Sequence, residues 1–568
     1  MKQLYFFLLP LLLMGMTSLL KAQDRTSGKS FATRSEVLAV NGMVATNHPL
    51  ATQIGLDILK KGGSAVDAAI AANAFLGLAD PAMNGIGGDL FAVVWDAKTN
   101  KLYGLNASGR SPKGVTLAYF KEKGYARVPA MGPLSVTVPG CVDGWVELNK
   151  KFGKIPLDQI LAPTIAYAKA GVPITQEVAD LMIEPQLLSR IGLKDAGKFS
   201  NFKKQYMKNG AFPVKGDLYK NPELARTLEM ISKKGRDGYY IGEVAQKIAA
   251  HIKQEGGFLS TDDLASHKSE WVDPVSTNYR GYDVWELPPN GQGISVLQIL
   301  NILEGYDLAK VGFGSKEHIH YFTEAKKLAY EDLATYYGDP AFNAIPLPKL
   351  LSKEYAAGRR KLINDKQAGI YEPGLAIAGH TIYLTVADKD GNMVSLIQSN
   401  AAPFGSLEVP EGLGFVLHNR GSFYELTENH INAFAPGKRP FHTIIPAFIT
   451  REGKPFMSFG LMGGDMQPQG HVQMVMNIID FGMNLQEAGD APRIYHEGTF
   501  ARFGHVNDVG TLYLESGFPY ETIRDLMLLG HKVSYAYGLF GGYQAIMRKA
   551  GVYYGASESR KDGQAAGY

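Results

Sequence analysis

The chain has 568 residues, with 58 basic and 55 acidic side chains and a formal net charge of +3. So even a balance provides no strong field to recruit nucleic acid or a membrane surface, and a small-molecule partner fits better. A single cysteine, Cys141, excludes an internal disulfide and a cysteine zinc cage; its apolar and glycine neighbours favour a buried thiol over a nucleophile.

Met1-Lys2, an apolar stretch from Leu4 to Leu20, and Lys21-Ala22 have the layout of a secretory signal peptide cut after Ala22. Residues 1–22 would then be removed and the remainder exported to the periplasm or the exterior, with an uncleaved anchor as the other reading. No later segment is long and apolar enough to span a membrane. Gln23 to Arg34 reads as a flexible polar start.

Ala51 to Leu59 and Ala65 to Leu78 have helical apolar spacing, joined by Lys60-Lys61-Gly62-Gly63. Asn84-Gly85-Ile86-Gly87-Gly88-Asp89 then leads into a strand over Leu90 to Trp95. A glycine-rich turn before a strand reverses the phosphate-binding order, so no nucleotide site is expected. Helices are expected over Leu157 to Ala170, Glu223 to Lys234, Val244 to Glu255 and Val296 to Leu303, with a strand near Val284 to Leu287. Ser200-Asn201-Phe202-Lys203 matches a serine-x-x-lysine pattern without its companion motifs. His318-Ile319-His320 reads as two surface histidines on a helix, their rings pointing apart with no third ligand nearby, so no metal is expected. Lys361 to Ala378 lacks a period and reads as an exposed lead into the next segment.

Two β-rich runs, Gly379 to Ala387 and Met393 to Asn400, flank Asp388-Lys389-Asp390-Gly391-Asn392, the pattern of a hairpin. With Ala387 facing Met393, paired numbers sum to about 780, which matches Val386 with Val394, Leu384 with Leu396 and Thr385 with Ser395. A slip of one residue would mix apolar with polar partners. Thr381 then lies opposite Ser399. If the chain is cut just before Thr381, its new α-amine, with an ordinary pKa of about 7.7–8.0, can take the proton of its own hydroxyl. Ser399 could hold that hydroxyl's rotamer. An ordinary hairpin of a half-buried sheet is the other reading of these residues taken alone.

Short strands are expected at Gly414 to Leu417, Ile444 to Thr450 and Met457 to Phe459, and helices at Val472 to Ile479, Leu485 to Ala488 and Ile523 to Leu529. Strands covered by helices on both sides give a layered α and β protein. Gly460-Leu461-Met462-Gly463-Gly464-Asp465 holds paired glycines that let backbone amides converge on a developing oxyanion, or that simply make a tight turn.

Taken together, these stretches resemble the γ-glutamyltransferase family of N-terminal-nucleophile hydrolases, including its cephalosporin-acylase-like relatives. Further landmarks are Gly63-Ser64-Ala65-Val66-Asp67-Ala68-Ala69, Tyr279-Arg280-Gly281-Tyr282, Pro288-Pro289-Asn290-Gly291-Gln292-Gly293, Lys438-Arg439-Pro440, Ala491-Pro492-Arg493 and Tyr554-Gly555-Ala556-Ser557. The resemblance implies an α+β fold, the four-layer αββα sandwich, from one precursor cut between His380 and Thr381. Residues 23–380 would form the large subunit and 381–568 the small one, together a heterodimer that two such pairs could double. It implies Thr381 as nucleophile, Ser399 as its support, Gly463 and Gly464 as the oxyanion turn, and no cofactor. The acyl-enzyme would be resolved by water or an acceptor amine.

The substrate pocket departs from the γ-glutamyl pattern. The family's Asp-Phe-Arg-Glu-like run is Asn106-Ala107-Ser108-Gly109-Arg110 here, its arginine displaced by two residues. The asparagine two places after the supporting hydroxyl is Ala401, with Asn400 as a substitute, and the run that binds an α-amino group is Asn419-Arg420-Gly421-Ser422-Phe423, without its acid. Two carboxylate-binding serines are His442 and Thr443, and the segment from Asn419 to Lys438 is too short for the usual lid loop. Arg110, Arg420 and His442 remain as candidate contacts for an acyl carboxylate without an α-amino group, as in a glutaryl amide. A structural salt bridge or surface contact is the alternative for each. The reading is a self-processing amidohydrolase; the alternatives are a true γ-glutamyltransferase and glutathione hydrolase, or a catalytically silent binding protein.

Overall fold

The computed structural model describes residues 28–184, 187–189, 199–371, 380–498 and 508–568. The expected signal peptide and residues 372–379 of the lead into Thr381 lie outside them.

Two seven-stranded sheets, each with every pairing antiparallel, lie face to face. The sheet that carries Thr381 runs, in spatial order, Gln564–Gly567, Met43–Thr46, His380–Ala387, Met393–Ala401, Asp89–Asp96, Lys101–Ala107 and Glu270–Val272. The facing sheet has Lys454–Met462 at its centre, flanked by Gly542–Lys549 and Ala447–Arg451.

Side chains alternate across each strand, so the two faces of the first sheet serve different cores. Phe91, Val93, Tyr383 and Ile397 point between the sheets against Ile444, Phe448 and Ile546. Leu90, Ala92, Ile382, Leu384 and Leu396 point outward onto the helices Pro49–Lys60 and Ala65–Ala79. The helices Gly293–Leu303, Lys316–Tyr336 and Met466–Ile479 cover the other sheet. The result is the expected αββα order of layers.

Helix Ala65–Ala79 is apolar on nearly every side and buried along almost its whole length, as a helix sandwiched inside a protein must be. Ser64 and Asp67 form a reciprocal capping box at its start, satisfying two amides that would otherwise be orphaned. Asp388 in the hairpin loop ties this helix to the catalytic strands: its Oδ2 accepts from Ala65 N at 2.9 Å, and its Oδ1 from Asp390 N and Asn392 N at 3.0 and 3.1 Å. Gly391 adopts a φ of 92°, which explains glycine at that loop position.

The hairpin register holds from Ile382–Gln398 to Ala387–Met393, and shifts by one where His380 pairs with Ala401. Most expected helices appear within a residue or two of their bounds. Four expectations need correction. Gly414 to Leu417 is not a strand: Gly414 has a φ of 76°, and Phe415 and Leu417 fill the core from a loop whose hydrogen bonds run to Glu408, Ser406 and Asn221. The strand expected from Ile444 begins at Ala447, and the helix expected from Val472 begins at Met466.

The fourth correction concerns His318 and His320, which are buried on helix Lys316–Tyr336. His320 Nδ1 lies 2.8 Å from His531 Nε2, and Glu324 stands beside both, a grouping with metal-ligand chemistry. Its charge is already matched, because the buried Lys327 ammonium lies 2.7 Å from Glu324 Oε1. The remaining contacts fasten the lead segment: Asn364 O meets His320 Nε2, and Gly369 N and Tyr371 OH donate to Glu324 Oε2 at 2.9 Å. That end of the lead is therefore anchored rather than loose.

Candidate active site

Thr381 is fully buried at the register shift between the His380–Ala401 and Ile382–Gln398 pairs, so it is not a ladder partner of Ser399 as expected, and it faces the space between the sheets. Its hydroxyl donates toward Ser399 Oγ across 3.5 Å, and it accepts from Gln467 Nε2 at 3.3 Å. Ser399 Oγ also accepts from Ala401 N at 2.8 Å, which fixes where the serine points. A hydroxyl held by two neighbours loses rotamer freedom before it attacks, a modest contribution from each long hydrogen bond.

Gly463 and Gly464 form the turn between strand Lys454–Met462 and helix Met466–Ile479. Their φ values of 125° and 60° lie where side-chain-bearing residues are strained. A Cβ on Gly463 would stand 3.2 Å from both Gly541 Cα and Met466 Cβ. Gln467 links this turn to the nucleophile, since its amide N donates to Gly464 O at 3.1 Å while its side chain reaches Thr381. Gln292 braces the same turn by donating to Gly464 O at 2.9 Å and to Thr443 O at 2.6 Å.

The six expected substrate contacts divide into separate groups. Arg110 bridges Asp339 at 3.2 Å and Glu270 at 2.9 Å, and donates to Gly437 O. Asn419 joins loops, accepting from Ala402 N and donating to Ala130 O. Asn400 donates to Pro81 O and leaves its buried Oδ1 without a hydrogen-bond partner.

Arg420, His442 and Thr443 come together around Asp89, a residue that sequence reasoning treated only as the end of a glycine turn. Asp89 pairs with Ser399 across neighbouring strands, so Thr381, Ser399 and Asp89 stand in a row on one face of the sheet. Strands are spaced by about 4.8 Å, which puts Asp89 about 10 Å from the nucleophile along that row. Arg420 Nε donates to Asp89 Oδ2 at 2.9 Å and its Nη1 to Thr443 Oγ1 at 2.9 Å, with all three side chains buried. Burial pushes the Asp89 carboxyl up from its ordinary value and the Arg420 guanidinium down, while each ion favours the charge of the other.

His442 lies against the same carboxylate, its Nε2 3.4 Å from Asp89 Oδ2 but out of line for a hydrogen bond. Both of its ring nitrogens lack hydrogen-bond partners, and burial, then Arg420, hold the ring neutral well below its ordinary pKa. His418 packs nearby with Nδ1 3.7 Å from Asp89 Oδ2, also held neutral by burial, down to about 3. Asp89 and Gln467 escaped the sequence reading because their partners are 331 and 86 residues away. An acid ending a glycine-rich turn, just before the expected strand Leu90 to Trp95, was the one available signal. Cys141 is buried, and burial raises its thiol well above the ordinary range, which suits a structural role.

The family model described as Gamma-glutamyltranspeptidase matches residues 51–568. The chain is 36% identical over 547 residues to the glutathione hydrolase-like YwrD proenzyme of Bacillus subtilis (strain 168), covering 94% of this chain and 99% of that protein. It is 33% identical over 534 residues to the acylase ACY 1 proenzyme of Pseudomonas sp. (strain SE83), covering 92% of each. The crystal structure of cephalosporin acylase from Bacillus halodurans superposes with a TM-score of 0.88 at 42% identity, over 97% of this chain and 99% of that one.

Proposed function

Because the chain belongs to the gamma-glutamyltranspeptidase family, we propose that it is an exported, self-processing amidohydrolase acting on acidic acyl amides through Thr381. The observation that carries this reading is the Thr381 hydroxyl held between Ser399 and Gln467, with Gln467 also seated on the Gly463-Gly464 turn. In the precursor, the Thr381 oxygen attacks the His380 carbonyl carbon and the C–N bond breaks in favour of an ester. Water then hydrolyses the ester, leaving a carboxylate on His380 and a free α-amine on Thr381. Subunits of residues 23–380 and 381–568 result.

In the mature enzyme, the α-amine takes the hydroxyl proton while the oxygen attacks a substrate amide, and amides at the glycine turn receive the oxyanion. The proton passes to the leaving amine, and water resolves the acyl-enzyme. One feature favours a terminal carboxylate on the acyl group, the guanidinium of Arg420 held against Asp89 at the end of the row, and the relative named acylase fits hydrolysis of an acyl amide. Turnover of a glutaryl anilide tests this directly, with no release in Thr381→Ala. A second reading, γ-glutamyl transfer or glutathione hydrolysis, is favoured by the name of the YwrD relative. Faster turnover of a γ-glutamyl anilide than of the glutaryl one would put it first. Among the described residues no helix is long and apolar enough to cross a membrane; export itself rests on the layout of residues 1–22 and is tested by fractionating the expressing cells.

A further inference from the structure

A pocket of about 340 Å³ lies beside the Gly463-Gly464 turn, and its wall includes Tyr535, Tyr537, Phe540, Gly541, Arg560 and Lys561. Gly541 joins the pocket to the turn, since its Cα would stand 3.2 Å from a Cβ on Gly463. It is held to glycine by a φ of 70° and by Met462 O, which a side chain at Gly541 would strike. The aliphatic stem of Lys561 runs over Gly542, the strand partner of Met462.

The strand order fixes which side of the nucleophile this is. In the sheet of Thr381, Met393–Ala401 and Asp89–Asp96 lead away toward Asp89 and Arg420, whereas Met43–Thr46 and Gln564–Gly567, the strand after Lys561, lead away on the other side. In the facing sheet, Ala447–Arg451 flanks Lys454–Met462 on one side and Gly542–Lys549, which follows Gly541, flanks it on the other. Strand His380–Ala387 packs against both Lys454–Met462 and Gly542–Lys549, so Thr381 stands between the Asp89 side and this pocket. A trans amide carries its two chains on opposite sides of the C–N bond. One whose acyl chain runs toward Arg420 therefore turns its leaving amine toward the pocket.

The lining decides what kind of amine fits. Tyr537 is 95% exposed and Tyr535 60%, so two aromatic rings stand open at the rim. The ionic side chains are already matched: Lys561 pairs with Glu177, and Arg560 donates to Glu515 Oε1 at 2.6 Å and to Glu558 Oε1 at 2.8 Å. A charged leaving group would have to break one of these pairs, whereas a flat neutral ring stacks on the tyrosines and leaves them intact. The volume falls in the range of small-molecule sites. Resting on the acidic-acyl reading for the side that the acyl chain takes, we propose that this pocket is the leaving-amine subsite, selective for uncharged aromatic amines, with Tyr535 and Tyr537 as its binding rings.

The test uses the self-cleaved enzyme and two readouts. 2-Naphthylamine is titrated in and followed by its own fluorescence, and kcat/KM for glutaryl 2-naphthylamide is divided by that for glutaryl methylamide. The ratio holds the acyl group constant, and comparing it between enzymes cancels the unequal reactivity of the two amides. Loss of one aromatic contact corresponds to about two- to tenfold. Tyr535→Ala and Tyr537→Ala should each weaken amine binding and lower the ratio by that factor, while Tyr520→Ala, exposed and outside the pocket, keeps the wild-type values. An unchanged ratio in both pocket variants, an equal loss in Tyr520→Ala, or 2-naphthylamine that does not bind overturns the amine subsite and leaves the acidic-acyl reading standing. Amine binding that weakens in the pocket variants of an enzyme turning over neither glutaryl amide supports the subsite and overturns the acidic-acyl reading.

Discussion

Gln467 Nε2 donates to the Thr381 hydroxyl at 3.3 Å while Gln467 Oε1 accepts from Ile445 N at 3.1 Å. One side chain thus fixes the nucleophile relative to the facing sheet, from the first turn of helix Met466–Ile479. Replacing Gln467 by Glu keeps an acceptor for Ile445 and removes the donor to Thr381. Loss of one such bond corresponds to about 1–1.5 kcal/mol, so kcat/KM should fall about tenfold. Steady-state kinetics on the cleaved variant check this, and an unchanged value would remove Gln467 from the positioning of Thr381.

Ser399→Ala removes the other neighbour of the Thr381 hydroxyl and the acceptor for Ala401 N. Self-cleavage should slow by about tenfold, followed as conversion of precursor to two fragments after synthesis. Cleavage at the wild-type rate would show that Ser399 plays no part in it.

Gly463→Ala combines a strained φ of 125° with a Cβ 3.2 Å from Gly541 and Met466. A loss of about 1–3 kcal/mol is expected from backbone strain at this position, with a larger loss of activity because the turn's amides move. Thermal unfolding alongside kinetics separates the two effects.

Acid should destabilise the fold before its carboxylates titrate. Burial holds His318, His418 and His471 neutral down to about 3, with Arg420 reinforcing the effect at His418. In the unfolded chain each titrates near its ordinary 6.5, so below that pH the unfolded state binds more protons and stability declines as pH falls toward 3. Three such groups correspond to about 4 kcal/mol per pH unit within that window. Urea unfolding of the uncut Thr381→Ala chain should give a midpoint that falls as pH drops below 6.5. A constant midpoint down to pH 5 would contradict the buried, neutral assignment.

Local pattern explains which parts were legible in advance. The hairpin register could be read because Leu384–Leu396 and Thr385–Ser395 match only in one alignment, and the observed pairs follow it. Amphipathic and fully apolar segments in sequence order indicated a layered α and β protein, whereas the αββα order was implied by the family resemblance. The pairings of Arg420 with Asp89 and of His320 with His531 join residues 331 and 211 positions apart, and no local period encodes them. Histidines that look like surface residues in a charged helix are buried because a later loop closes over them. Gly414 to Leu417 illustrates the converse: an apolar run signals burial without specifying a strand.

The central claim is that Thr381 becomes the amino terminus of a catalytic subunit by its own chemistry. Intact mass under denaturing conditions, on the purified protein beside Thr381→Ala, tests it most directly. The account predicts two fragments, one ending at His380 and one beginning at Thr381, and a single uncut chain in the variant. One uncut chain in both, or the same two fragments in both, would contradict it.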